Sequence, residues 1–156
     1  KTRVDLDLAL GNVINNTSRV SREFKLCVMR SILNGWVTSS RYHEKISLPC
    51  VFGCKLFHPI HARGYKDCLA HYLRCPLLWK LVSDILEVDI PTSPATKLCL
   101  LPGCSPYPII IAHKVYHFIK MGNRPRVLCT RNLHHVNELR ELAFRYGAAL
   151  RSDMRI

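Results

Sequence analysis

The chain has 156 residues and a formal charge of +12, from 23 Lys and Arg against 11 Asp and Glu. Apolar residues at 48% exclude wholesale disorder, and no apolar run reaches the roughly 20 residues that a bilayer span needs. A cation surplus of this size on a chain of one domain's length is an electrostatic footprint for phosphate, whether RNA, DNA or an anionic membrane surface.

The first residue is Lys1; a cleaved targeting segment fits that start, and trimming fits it equally. Val4 to Ile14 predicts a short apolar helix cut by Asn15-Asn16, with Thr17 or Ser18 capping the next. From Arg19 to Trp36, Val20, Phe24, Cys27, Val28, Ile32 and Trp36 recur at helical spacing and make one face. Arg19, Arg22, Lys25 and Arg30 fall largely off it. Asn34-Gly35 predicts the helix end there or one turn later.

Ser39 to Leu48 is a polar connection. Cys50-Val51-Phe52-Gly53-Cys54 predicts a tight loop turned by its glycine. Residues 55–64 read as a loop, after which Asp67 is positioned to cap a helix carrying Cys68, His71, Tyr72 and Cys75. An apolar helix follows from Leu77 to Leu86, then a break at Pro91 to Pro94. A short apolar stretch, Leu98 to Leu101, ends at Pro102-Gly103. Pro106 to Met121 predicts a helix with proline at its tolerated start. Arg126 to Thr130 reads as one short strand. Asn132 to Leu150 predicts an amphipathic helix with Leu133, Val136, Leu139, Leu142, Ala143, Tyr146 and Leu150 on one face. The fold class is mainly α, a small helical domain around a metal loop with at most one short strand pair. Three regions form one compact unit: 1–48, 49–90 and 91–156.

Eight cysteines invite a disulfide framework, but no secretory signal is visible and four ligand-type residues sit at metal spacing. They are Cys50-x3-Cys54-x16-His71-x3-Cys75. A tight loop supplies two thiolates, and residues one helical turn apart supply the other pair. This predicts a loop-plus-helix zinc site with one structural Zn2+, its four positions filled and none left for catalysis. Cys68 is the spare ligand. A second constellation, Cys99-x4-Cys104-x8-His113-x3-His117, resembles a degenerate finger. A buried thiol and a surface histidine pair account for it as well. Two overlapping glycosylation sequons at Asn15 and Asn16 are of a kind common by chance.

The run Asn34-Gly35-Trp36-Val37-Thr38-Ser39-Ser40-Arg41-Tyr42-His43, then Cys50-Val51-Phe52-Gly53-Cys54, then His71-Tyr72-Leu73-Arg74-Cys75-Pro76-Leu77-Leu78-Trp79 resembles a known pattern. It is similar to the zinc-knuckle tail downstream of the reverse transcriptase in non-LTR retrotransposon polyproteins of protist, dinoflagellate-like type. Ala112 to His117 looks like the helix that follows in such tails. The resemblance covers roughly residues 20–120. It implies a nucleic-acid-contacting zinc module with Cys50, Cys54, His71 and Cys75 as ligands, and no polymerase activity. Between the halves of the knuckle, His58, His61 and Arg63 stand where an acidic residue is expected, while Asp67 is kept.

No paired-aspartate polymerase motif or glycine-rich phosphate loop is present, and nothing positions Cys27 with His43 as a nucleophile pair. The expected function is non-enzymatic RNA binding in a ribonucleoprotein by a tail domesticated by its host. An organellar, mitochondrial ribosome is the specific expectation, with rRNA and neighbouring proteins as partners. Expected RNA contacts are Arg41, Lys45, Lys55, Arg63, Lys66 and Arg74 near the knuckle, and a second group of Arg124, Arg126 and Arg131. Trp79, Phe52 and Tyr72 are expected in the core more than as base-stacking platforms; Tyr42 and Tyr65 fit either role. The rival readings are a structural protein-interaction subunit docking through the C-terminal helix, and a DNA-binding retroelement remnant.

Overall fold

The computed structural model describes residues 5–42, 48–54, 67–122 and 133–154. These residues are mainly helical, and no strand forms among them. The helices are α1 (Leu6–Asn16), α2 (Arg22–Ile32), α3 (Leu69–Tyr72), α4 (Pro76–Leu86), α5 (Pro94–Lys97), α6 (Tyr107–Gly122) and α7 (Leu133–Asp153). The expected strand at Arg126 to Thr130 lies outside the described residues.

Helix α6 is the axis of the fold, packed against α2, α4 and α7. Its consecutive Ile109, Ile110, Ile111 and Ala112 are all fully buried, as are Val115, Tyr116 and Ile119. Burial on every side follows from a segment that is apolar all round instead of on one stripe.

Helix α2 is shorter than its apolar pattern. Ser21 caps its start through its hydroxyl, so Thr17 and Ser18 do not. It ends at Ile32, because Asn34 adopts a left-handed φ of 54° and the chain turns back through Gly35, whose N–H bonds to the Arg30 carbonyl. A Cβ on Gly35 would lie 2.9 Å from that carbonyl oxygen, so the turn requires glycine. Trp36 therefore reaches the core from a loop. It is fully buried, donates Nε1–H to Ser31 Oγ at 2.9 Å, and packs against Tyr116 and Tyr72 with ring centroids 4.7 and 5.7 Å away. Such aromatic pairs add about 0.5–1.5 kcal/mol each beyond their buried area.

Asn15-Asn16 do not cut α1 as their sequence context predicts; the helix runs through both and Thr17 is its C-cap. Asn12 and Asn16 donate side-chain amides to the carbonyls of Leu100, Cys99 and Leu101, tying α1 to the 99–101 segment. There Cys99 takes a left-handed φ of 59°. Pro94 does not merely break the chain; it opens the short helix α5.

In α7, Ala143 is buried, Tyr146 and Leu150 are half-buried, and Leu142 faces solvent. Gly147 meets α4 at Ile85, so the described C-terminal half of this helix packs on its own fold through Ala143 and Gly147. The side chains of Leu133, Val136 and Leu139 lie outside the described part. A single buried cluster joins residues from Val13 to Ala143 and runs through all three sequence regions.

Candidate metal centre

Cys50 and Cys54 sit at the ends of a short turn closed by a Gly53 N–H to Cys50 carbonyl bond of 3.0 Å. Gly53 has a left-handed φ of 77° there, which a side chain would strain. The other two donors do not share one helix as expected. His71 lies in α3, that helix ends at Tyr72 with Leu73 as its C-cap, and Cys75, in extended geometry, is the N-cap of α4. The cause is Pro76, which cannot donate within a continuing helix but is suited to a first turn. Cys75 Sγ accepts the Leu78 N–H at 3.4 Å.

All four residues are buried, and their donor atoms lie within 4.8 Å of one another. Cys54 Sγ is 3.3 Å and Cys50 Sγ 3.8 Å from Cys75 Sγ. These four can hold a metal ion. Hydrogen bonds from Cys50 and Cys75, with a further one from His71, draw the Cys54 thiol down to about 2 against the opposing effect of burial. Burial drives Cys50 well up. Thiols alone thus support one thiolate, since neighbouring negative charges in a buried site repel; a cation is what lets three ionise together.

Cys68 stands outside this group: it is the half-buried N-cap of α3 and makes no side-chain cap bond. Nor does the second constellation assemble among the described residues. Cys99 donates its thiol to the Ser105 carbonyl, Cys104 opens beside Tyr107, and His113 and His117 line a different cleft.

Asp67 is not the cap of α3. It is fully buried, and its carboxylate organises the centre instead. One oxygen accepts Tyr72 O–H at 2.7 Å and, at 3.2 Å, a share of the Tyr116 O–H, which donates more closely to the Val37 carbonyl at 2.6 Å; the other accepts the Ser39 N–H at 2.7 Å and pairs with Lys120. Tyr72 O in turn accepts the Val51 N–H at 3.2 Å, which links the carboxylate to the metal loop.

Lys97 was not singled out by its sequence context. It is 7% exposed, lies 4.4 Å over the Trp79 ring, and donates to the Leu73 carbonyl at 3.0 Å. No carboxylate pairs with it among the described residues; burial lowers its pKa, and an ionised Cys75 would counter that. Phe52, Tyr72 and Trp79 are buried in the core.

Of the expected phosphate contacts, Arg41 and Arg74 are exposed, and Arg41 stands over the exposed Tyr42 ring. Lys45, Lys55, Arg63, Lys66, Arg124, Arg126 and Arg131 lie outside the described residues, as do Phe57, His58, His61 and Tyr65. No described helix is long and apolar enough to cross a membrane. Comparison with family models, curated proteins and solved structures finds no match to this chain.

Proposed function

We propose that this chain is a non-enzymatic RNA-binding subunit of a ribonucleoprotein, stapled by one structural zinc ion. Three sulfurs and one imidazole nitrogen are a donor set that zinc takes in closed tetrahedral sites. A tail of retrotransposon origin, domesticated for an organellar ribosome, is the specific form of the reading. Its support is the resemblance of residues 34–43, 50–54 and 71–79 to such tails.

The observation that carries the RNA reading is the surplus of 23 basic over 11 acidic residues together with where the described cations stand. Arg19, Arg22 and Arg30 are exposed along α2 and its entry, and none forms an ion pair among the described residues. Cations held on a rigid helix at regular spacing suit phosphate contacts that position RNA without reading its sequence. Filter binding to structured RNA across a salt series tests this. A steep negative slope of log K against log salt is expected; no binding, or a flat slope, contradicts it. Tighter binding to duplex DNA than to RNA favours the DNA-binding remnant.

A structural protein-interaction subunit is the second reading. Leu6, Leu10 and Ile14 are 73%, 43% and 68% exposed on α1 at i, i+4 and i+8, one apolar face of that helix that favours a protein neighbour. The C-terminal helix α7, the docking element expected from the sequence, packs on α4 and α6 and still exposes Leu142, so it stands beside α1 as a docking candidate.

A further inference from the structure

Glu23, Cys27 and Arg30 of α2 face His113, Lys114 and His117 of α6 across a cleft of about 420 Å³. His113 is 3% exposed, yet neither of its ring nitrogens has a hydrogen-bond partner. Nε2 of His117, one turn on, is buried without a partner as well. The two rings lie 4.3 Å apart between centroids, tilted by 45°. A buried polar atom left without a partner is destabilising, so something should occupy this place.

Water fits poorly, because these nitrogens have almost no surface open to it. A transition metal bonds imidazole nitrogen at about 2.0–2.1 Å, well inside the ~2.9 Å of a hydrogen bond. Its reach to an imidazole lone pair is therefore shorter than that of water. Histidines at i and i+4 present their rings on one helix face. Both rings are held neutral, the form that offers a lone pair. Burial, then the charges of His117, Arg30 and Lys114, push His113 down to about 3, and burial lowers His117 too.

We propose that His113 and His117 bind a second divalent transition-metal ion, with the Cys27 thiol of the facing helix as third ligand. Imidazole and thiolate together suit zinc. Cys27 is buried on the same cleft but outside the 4.8 Å grouping, so its side chain turns inward to complete the triad. Binding forms the metal–sulfur bond, and the thiol proton leaves to solvent. Arg30 and Lys114 oppose a bare cation here; the new thiolate and Glu23, which is ion-paired to Lys114, offset them.

This inference does not rest on the first centre, and the two separate experimentally. Zinc is titrated into the purified chain and bound ions are counted by native mass spectrometry. The wild-type chain is expected to take two zinc ions. His117→Gln and Cys27→Ala each weaken one of them at least tenfold and keep the other, whereas Cys54→Ser loses the ion that those variants keep. Circular dichroism and the retained ion report that each variant is folded. Saturation at one zinc in the wild-type chain overturns the proposal. So does a second zinc whose affinity is unchanged by His117→Gln or by Cys27→Ala.

Discussion

Lys120 and Asp67 form an ion pair inside the protein, 53 residues apart in the chain, with 7% and 0% of their side-chain surface exposed. The pair fastens α6 to the residue that precedes the His71 helix. Removing one partner of a buried pair leaves an uncompensated charge and costs about 3–5 kcal/mol. Asp67→Asn should reach that range in urea denaturation, since an amide cannot accept from Ser39, Tyr72, Tyr116 and Lys120 together. Lys120→Met should cost less, because the carboxylate keeps its three other donors. Equal effects of the two, or a change under about 1 kcal/mol for Asp67→Asn, would contradict this view of the carboxylate as the hub.

Gly147→Ala pits helix propensity against packing. Alanine gains about 1 kcal/mol over glycine in a helix interior. Its Cβ would lie 2.4 Å from Cδ1 of Ile85 and 3.4 Å from Val115. Ile85 is 2% exposed, so its terminal methyl moves only by disturbing the core around it. Overpacking of this kind costs about 1–3 kcal/mol, so a net loss in thermal stability is expected. Ile85→Val removes the clashing methyl, and the double variant should recover most of the loss. A stabilised Gly147→Ala would show that α4 and α7 do not approach this closely.

Lys97 is expected to tune the metal centre. Three thiolates and a neutral imidazole around a divalent ion leave one negative charge in a buried place. A buried lysine without a carboxylate partner is the matching cation. Lys97→Met should weaken metal affinity about tenfold, the lower end of what outer partners of metal ligands contribute, and Lys97→Arg should retain most of it. Competition with a colorimetric chelator measures both. Equal affinity in all three proteins would make Lys97 a packing residue only.

Charge reversal on α2 tests the RNA surface without touching either metal group. Arg19→Glu with Arg22→Glu should weaken RNA binding across unrelated sequences and reduce the salt slope by about 1 for each phosphate contact removed. A loss confined to one RNA sequence would point to base readout instead.

The four metal donors were legible because they lie within 26 residues and each is of a ligand type; local spacing suffices to find them. Their mounting was not. Periodicity carried the helix through to Cys75, whereas Pro76 makes Cys75 the start of a new helix. Asp67 has the sequence context of a cap, but its partners Tyr116 and Lys120 come from α6, and no local pattern reveals them. The apolar pattern from Arg19 to Trp36 overruns α2 at both ends, since Ser21 caps its start and Trp36 keeps the apolar rhythm from a turn that Asn34 and Gly35 impose. The apolar stripe of α7 was visible, but whether it met a partner or its own fold depended on α4 and α6. His113 and His117 were visible as a pair; their thiol neighbour is Cys27 on α2, not Cys99 or Cys104.

Cys50, Cys54, His71 and Cys75 are placed to hold one metal ion through three sulfurs and one nitrogen. Cobalt substitution tests it directly, because thiolate-to-cobalt charge transfer reports sulfur ligation. The wild-type chain is predicted to give tetrahedral cobalt bands and a charge-transfer intensity of three cobalt–sulfur bonds at its tighter site, lost or sharply reduced in Cys54→Ser. A folded wild-type chain that gives no thiolate band, or a band that Cys54→Ser leaves unchanged, would contradict it.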